Sequence, residues 1–283
     1  MKIIRTYATS ANLGPGFDSF GICLNLYNEY AFEKSTNYEI KEFNEKFSNP
    51  SNNLIIKSYE EVFKLLNKNI IPIKLTELVH KIPSSRGLGS SASCIVSGVM
   101  IANDILGNIL SIDEVFQISS SIEGHPDNVA PLIFGGLTCS FKNKVFHTIK
   151  FKCDESFKFT VCIPSFELKT SVARSVLPKS ISMADAVSNI SHSVALIKAL
   201  EIGDMELLKI ANVDKLHEAY RLPLINGSNY FKDFAKNNNA TCMISGAGPT
   251  ILLISKDSLN VSLDDWKIIE QSINNHGAYI YEK

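Results

Sequence analysis

The chain has 283 residues, 45% of them apolar and 20% charged, with a formal net charge of −1. That length and apolar content predict a globular protein with a core large enough for one big domain or two intimate ones. The near-zero charge argues against a non-specific nucleic-acid or polyanion binder, while leaving room for a local basic pocket for a small anion.

In chain order, residues 2–8 alternate as a first strand. Residues 10–18 then form a loop with a Gly-Pro-Gly core. Its rigid backbone presents Asn12 and Asp18, either as a site or as a surface turn between strands. Residues 21–32 read as the next strand, and residues 35–53 as a polar, Asn-rich excursion. A helical pattern follows from Asn53 to Leu66, with Ser51 or Asn52 as its cap, and then a strand over 73–82.

Residues 83–93 carry two glycines, a proline and five serines, and they open directly into a helix. From Ala92 the apolar residues recur at Ile95, Val96, Val99 and Met100, one helical face. The first N–H groups of a helix lack partners and sit at the positive end of its dipole, so this junction suits an anion. Ser90, Ser91 or Ser93 can add hydroxyl ligands. On this stretch alone, a glycine turn with a serine cap fits equally well.

Gly107-Asn108 stops that helix. Ser111 with Glu114 forms a capping box for a second helix running to about Glu123. Residues 123–131 then cluster Glu123, His125, Asp127 and Asn128 between Gly and Pro, as a site or as a polar connection. A strand follows over 135–141. The pattern weakens over 142–156, which divides the chain into domains at 1–150 and 151–283. The second half reads as a strand to Ile163, a loop or short helix over 169–174, and a long helix from Met183 to Gly203. A helix near 228–236 comes next, then two apolar runs flanking a glycine loop at 245–250. A last helix at about 263–274 and a strand at 278–281 close it. Strands and helices segregate within each half, so the class is α+β.

The six cysteines show no Cys-x-x-Cys pair and no zinc spacing, which predicts free thiols in a reducing cytoplasmic compartment. No apolar run approaches the roughly 20 residues of a membrane span. The first eight residues are too poor in apolar side chains for a signal peptide. A Walker-A lysine, a Gly-x-Ser-x-Gly elbow and a His-Glu-x-x-His pair are all missing from the sequence.

Three small-residue loops remain to be explained together. The run Pro83-x-x-x-Gly87-Leu88-Gly89-Ser90-Ser91-Ala92 resembles the phosphate loop of the GHMP kinases. Residues 8–20 resemble the first motif of that superfamily, and Ser245-Gly246-Ala247-Gly248-Pro249-Thr250 its third. The three occur in the superfamily's order and span nearly the whole chain. Asn12-Leu13-Gly14-Pro15-Gly16-Phe17-Asp18, His125-Pro126-Asp127-Asn128, Thr170-x-x-x-Arg174 and Tyr220-Arg221 are similar to the homoserine kinase branch.

The resemblance implies a ribosomal-protein-S5-like N-terminal domain that binds ATP and a ferredoxin-like C-terminal domain, with the site between them. It implies transfer of the γ-phosphoryl of ATP to the side-chain hydroxyl of L-homoserine, a step toward threonine. It also suggests a homodimer, with no role for nucleic acid or membrane. Arg174 and Arg221 would clamp the substrate carboxylate, and Asp18 would pair with its ammonium. Asn12, Thr170, His125 and Gly246 would add substrate contacts. For ATP it implies Pro83, Arg86, Gly87, Leu88, Gly89, Ser90, Ser91, Ala92 and Ser93, with Asn53 at the adenine. Ser91 and Glu123 would hold Mg²⁺ through oxygen; at the metal-ligand spacing of many relatives this chain has Gln117 instead. The catalytic set would be Asn128, His125 and Arg174. An amide at Asn128 cannot accept a proton, which implies that the hydroxyl proton passes to a phosphate oxygen. The alternatives are a mevalonate-type kinase of the same superfamily or a non-catalytic binding protein on its scaffold.

Overall fold

The computed structural model describes residues 1–282. Its first sheet has seven strands. Strand β1 (Lys2–Ala11) pairs antiparallel with β2 (Phe20–Lys34) along nearly its whole length. At fifteen residues β2 is long enough to serve two further neighbours. Its C-terminal part pairs with β4 (Ile73–His80), and its start pairs with β5 (Leu137–Asn143). Strand β3 (Glu39–Lys41) extends one edge beside β4, and β6 (Val145–Phe151) forms a hairpin with β5. The weak pattern over 142–156 therefore takes in the end of β5 and all of β6, in the first sheet. Exposed Lys, Asn and Val on both strands of that hairpin blur its periodicity.

Helices α1 (Leu54–Leu65), α2 (Ser90–Ile105), α3 (Ile112–Glu123) and α4 (Val129–Phe134) cover one face of this sheet. Their local signals are largely as the sequence predicts. Ser111 and Glu114 form both bonds of the capping box on α3. The cap of α1 is neither Ser51 nor Asn52 but Asn53, whose Oδ1 accepts from the Ile55 and Ile56 amides. Helix α2 starts at Ser90, two residues ahead of its first apolar position, because Gly89 at φ +67° reverses the backbone there.

The second sheet is β10 (Trp266–Gln271), β7 (Lys158–Pro164), β9 (Ile251–Ser255) and β8 (Thr241–Ile244), in that spatial order and all antiparallel. Counted along the chain this is fourth-first-third-second, the ferredoxin-like order. Helices α5 (Thr170–Ser175), α6 (Met183–Ile202), α7 (Met205–Ala211), α8 (Glu218–Arg221) and α9 (Ser228–Asn237) fill the connection from β7 to β8. The helix expected at 263–274 is absent. Residues 266–271 are β10, because Ile268 and Ile269 favour an extended strand on β7 once tertiary pairing is available. The closing strand β11 (Tyr279–Glu282) returns to the first sheet and pairs with β1.

Three buried clusters hold these layers. One lies between the first sheet and α1–α4, and one beneath β7–β9 and α9. The middle one is made by both halves: Leu13, Ile22 and Leu24 from the first pack with Phe159, Leu196, Leu200 and Leu252 from the second, all fully buried. Each such side chain contributes about 1.5–3 kcal/mol. This shared core joins the two halves that carry the three loops.

Candidate active site

The three glycine loops are hydrogen-bonded to one another. The Ser245 hydroxyl donates to the Gly87 carbonyl (2.7 Å), and the Thr9 amide to the Leu88 carbonyl (3.2 Å). The Gly246 amide donates to the Ala11 carbonyl (2.9 Å). Gly87 sits at φ +73°, and a Cβ there would lie 2.2 Å from the Ser245 carbonyl oxygen, so only glycine permits this approach. Asn12 and Asp18 both adopt positive φ, at +71° and +52°. The Asn12 side chain holds the first loop in that shape, accepting from the Asp18 amide (2.9 Å) and donating to the Gly246 carbonyl (2.6 Å). Backbone strain of this kind persists where the surroundings enforce it.

Two hollows meet at the start of α2. The first, about 220 Å³, is lined by Tyr30, Phe43, Phe47 and Asn53 together with Ser90 and Ser91. The second, about 160 Å³, is lined by Asn12, Gly87, Ser90, Ser91, Glu123, His125, Asn128, Thr170 and Gly246. The wall they share is the N-terminus of α2, where Gly89 provides no side-chain cap and the amides stay available for an anion.

In the second hollow the Ser91 hydroxyl donates to a Glu123 carboxylate oxygen (2.7 Å). Burial raises the Glu123 pKa; Ser91 and His125 oppose that, and Asp127 adds to it. Gln117 is elsewhere, spent on both backbone groups of Phe146. His125 holds Asp127 through Nδ1 (2.6 Å), and Asp127 also accepts from the Asn128 amide (3.0 Å). Burial works against a charged His125, but the hydrogen bond and charge of Asp127 outweigh it and raise the pKa. The Thr9 hydroxyl donates to Asn128 Oδ1 (2.8 Å), which leaves the Asn128 amide hydrogens for the cleft.

Beyond this hollow, Arg174 and Asp18 form a bidentate pair with bonds of 3.0 and 2.7 Å. Arg221 is almost fully buried, and burial lowers its pKa to about 10. Its guanidinium donates to the carbonyls of Ala173 (3.2 Å) and Gly246 (3.3 Å), and it has no carboxylate partner among the described residues. The Phe17 ring lies under both guanidinium groups, at 5.9 Å from Arg174 and 5.1 Å from Arg221. A buried guanidinium without a carboxylate is costly unless an anion completes it.

Residues 53–136 match the family described as GHMP kinases N terminal domain. A homoserine kinase of Clostridium beijerinckii is 39% identical over 298 residues, covering 100% of this chain and 99% of that protein. The chain belongs to the homoserine kinase family. A homoserine kinase of Clostridium botulinum is 38% identical over 295 residues, covering 99% and 98% of the two chains. The crystal structure of homoserine kinase from Cytophaga hutchinsonii superposes with a TM-score of 0.86 at 25% identity, over 99% of this chain and 96% of that one.

The chain brings most of the expected residues to one cleft and directs a few elsewhere. Ser93 is fully buried and its hydroxyl meets Thr6 (2.8 Å), not the cleft. Leu88 and Ala92 face the core. Arg86 lines the second hollow, but its guanidinium donates to the carbonyls of Ser84, Pro164 and Ser165. Asn53 lines the first hollow with its amide spent on the α1 cap and the Phe47 carbonyl. Sequence reasoning missed Thr9, Phe17 and His217. The one available signal was the i, i+4 spacing of His217 and Arg221.

Proposed function

We infer that this chain transfers the γ-phosphoryl group of ATP to the side-chain hydroxyl of L-homoserine, giving O-phospho-L-homoserine and ADP in the pathway to threonine. The observation that carries the reading is the pairing of a buried, carboxylate-free Arg221 with the Arg174–Asp18 couple beside the phosphate loop. A zwitterionic amino acid needs this set: two guanidinium groups for its carboxylate and one carboxylate for its ammonium. Mevalonate has no ammonium for Asp18, which separates this reading from the mevalonate-type one.

In this reading residues 1–150, joined by the returning strand β11, form the ATP-binding domain and the rest of 151–283 the second domain. ATP places its base in the Tyr30–Phe43 hollow and its phosphates on the α2 amides with Ser90 and Ser91. The Ser91 hydroxyl and Glu123 carboxylate are hard oxygen donors at hydrogen-bond distance, a set that fits Mg²⁺. When bound, the ion neutralises charge on the phosphates. Thr170, His125 and the loop of Asn12 and Gly246 complete the amino-acid pocket.

Asp127 is unsuited to be a base, since its buried carboxylate is committed to His125 and Asn128. The Asn128 amide and His125 orient the hydroxyl, and the proton passes to a γ-phosphoryl oxygen. Positioning supplies the rate in this scheme. Arg174→Ala tests the pocket: the homoserine KM should rise by about one to three decades, on the ~2–4 kcal/mol scale of a lost charged pair, with the ATP KM unchanged. An unchanged homoserine KM rejects the clamp.

The reading also places the chain in the cytoplasm, consistent with its six unpaired cysteines, and without nucleic-acid or membrane partners. Among the described residues no helix is long and apolar enough to cross a membrane. We further read it as a homodimer through α6, where Met183, Val187, Ile190 and Val194 form an exposed apolar stripe on one face.

A further inference from the structure

His217 is fully enclosed, yet both its ring nitrogens are engaged. Nε2 lies 2.9 Å from the Gly14 carbonyl oxygen, and Nδ1 lies 3.3 Å from Arg221 Nη1. A carbonyl only accepts and a guanidinium only donates. The two neighbours therefore fix the tautomer: Nε2 carries the hydrogen and Nδ1 offers its lone pair. The ring also stacks on Phe17, with centroids 5.3 Å apart and planes 25° from parallel. Gly14 and Phe17 belong to the loop that presents Asp18, so one imidazole joins that loop to the buried arginine. The turn carrying His217 is itself fixed, because Asp214 accepts from the amides of Leu216, His217 and Glu218.

We propose that His217 is a positioning residue of the amino-acid pocket: as the neutral Nε2–H tautomer it ties the Asn12–Asp18 loop to Arg221 and keeps the pocket's carboxylate and ammonium sides in register. The inference rests on the pocket assigned above. A protonated ring would aim a second N–H at Arg221 and set two cations against each other, which would displace the guanidinium. The groups facing the ring agree with a neutral state. Burial, the largest effect, and Arg221 lower the His217 pKa, against the opposing pull of Asp214, the Gly14 carbonyl and Asp18. Asp214 stands 3.9 Å from Nε2. Glu218 on the same turn points to the Ile244 amide instead.

Three variants and one spectrum test this. Arg221→Met and His217→Leu should each raise the homoserine KM at least about tenfold, with kcat and the ATP KM within about twofold. His217→Gln, which keeps one donor and one acceptor, should recover most of the loss. If Arg221→Met raises the KM and His217→Leu does not, the positioning role is overturned and the pocket stands. If Arg221→Met leaves the KM unchanged, the pocket reading fails and this inference with it. Imidazole ¹⁵N NMR on the unmodified protein gives an answer even if His217→Leu does not fold. An Nε2–H tautomer persisting below the ordinary histidine pKa is the expected result; an Nδ1–H tautomer, or an imidazolium near neutrality, overturns the proposal.

Discussion

Asp127 and His125 show how far single side chains determine the chemistry. Asp127 is the carboxylate adjacent to Asn128 in the chain. In the structure its carboxylate accepts from His125 and from the Asn128 amide, so it orients two neighbours. Asp127→Asn should therefore lower kcat by disordering His125 and, because it removes the charge that raises the His125 pKa, move a histidine limb of the pH–rate profile to lower pH without abolishing it. A profile governed by one essential basic group that vanishes in Asp127→Asn contradicts direct transfer of the proton to phosphate. The resemblance named Asp18, Arg174, Arg221, Ser91 and Glu123, and the fold brings Asp18 against Arg174 and Ser91 against Glu123. Thr9 and His217 were not legible, because each acts through a partner far along the chain. His217 and Gly14 are 203 residues apart.

At the level of elements, local signals survived and non-local ones did not. The Ser111–Glu114 capping box is written within four residues and forms as read. The strand expected at 278–281 forms as β11, but its return to β1 and the pairing that makes 266–271 a strand depend on partners elsewhere. Short α8 shows a second non-local device. It docks on the open edge of β8, where the Glu218 carboxylate accepts from the Ile244 amide (2.8 Å) and Asn212 donates to the Cys242 carbonyl (3.0 Å). Burial raises the Glu218 pKa to about 7, against 4.5 as the ordinary value. The folded state thus binds the proton more tightly, and its contribution to stability declines as pH rises through this window. Glu218→Gln keeps the acceptor and removes the titration. Its Tm relative to the parent should rise between about pH 5 and about pH 8. A gap that does not change with pH contradicts this account of α8.

For the whole molecule, the shared core makes the cleft a fixed feature at the junction of the two sheets. The α+β class and the order of the three loops followed from the sequence; their mutual hydrogen bonds, and the division into two hollows meeting at α2, required the fold. If α6 joins two copies, Ile190→Glu should convert a dimer into a monomer by sedimentation, and an unmodified chain that is already monomeric rejects that arrangement. In the proposed function the cleft takes ATP on one side and a zwitterionic hydroxy amino acid on the other. A coupled ADP-release assay with homoserine, serine, mevalonate and a sugar as acceptors tests it most directly. Release should require Mg²⁺, be fastest with homoserine by a wide margin, and stop on chelation. Equal rates with mevalonate, or no release above background with homoserine, would contradict it.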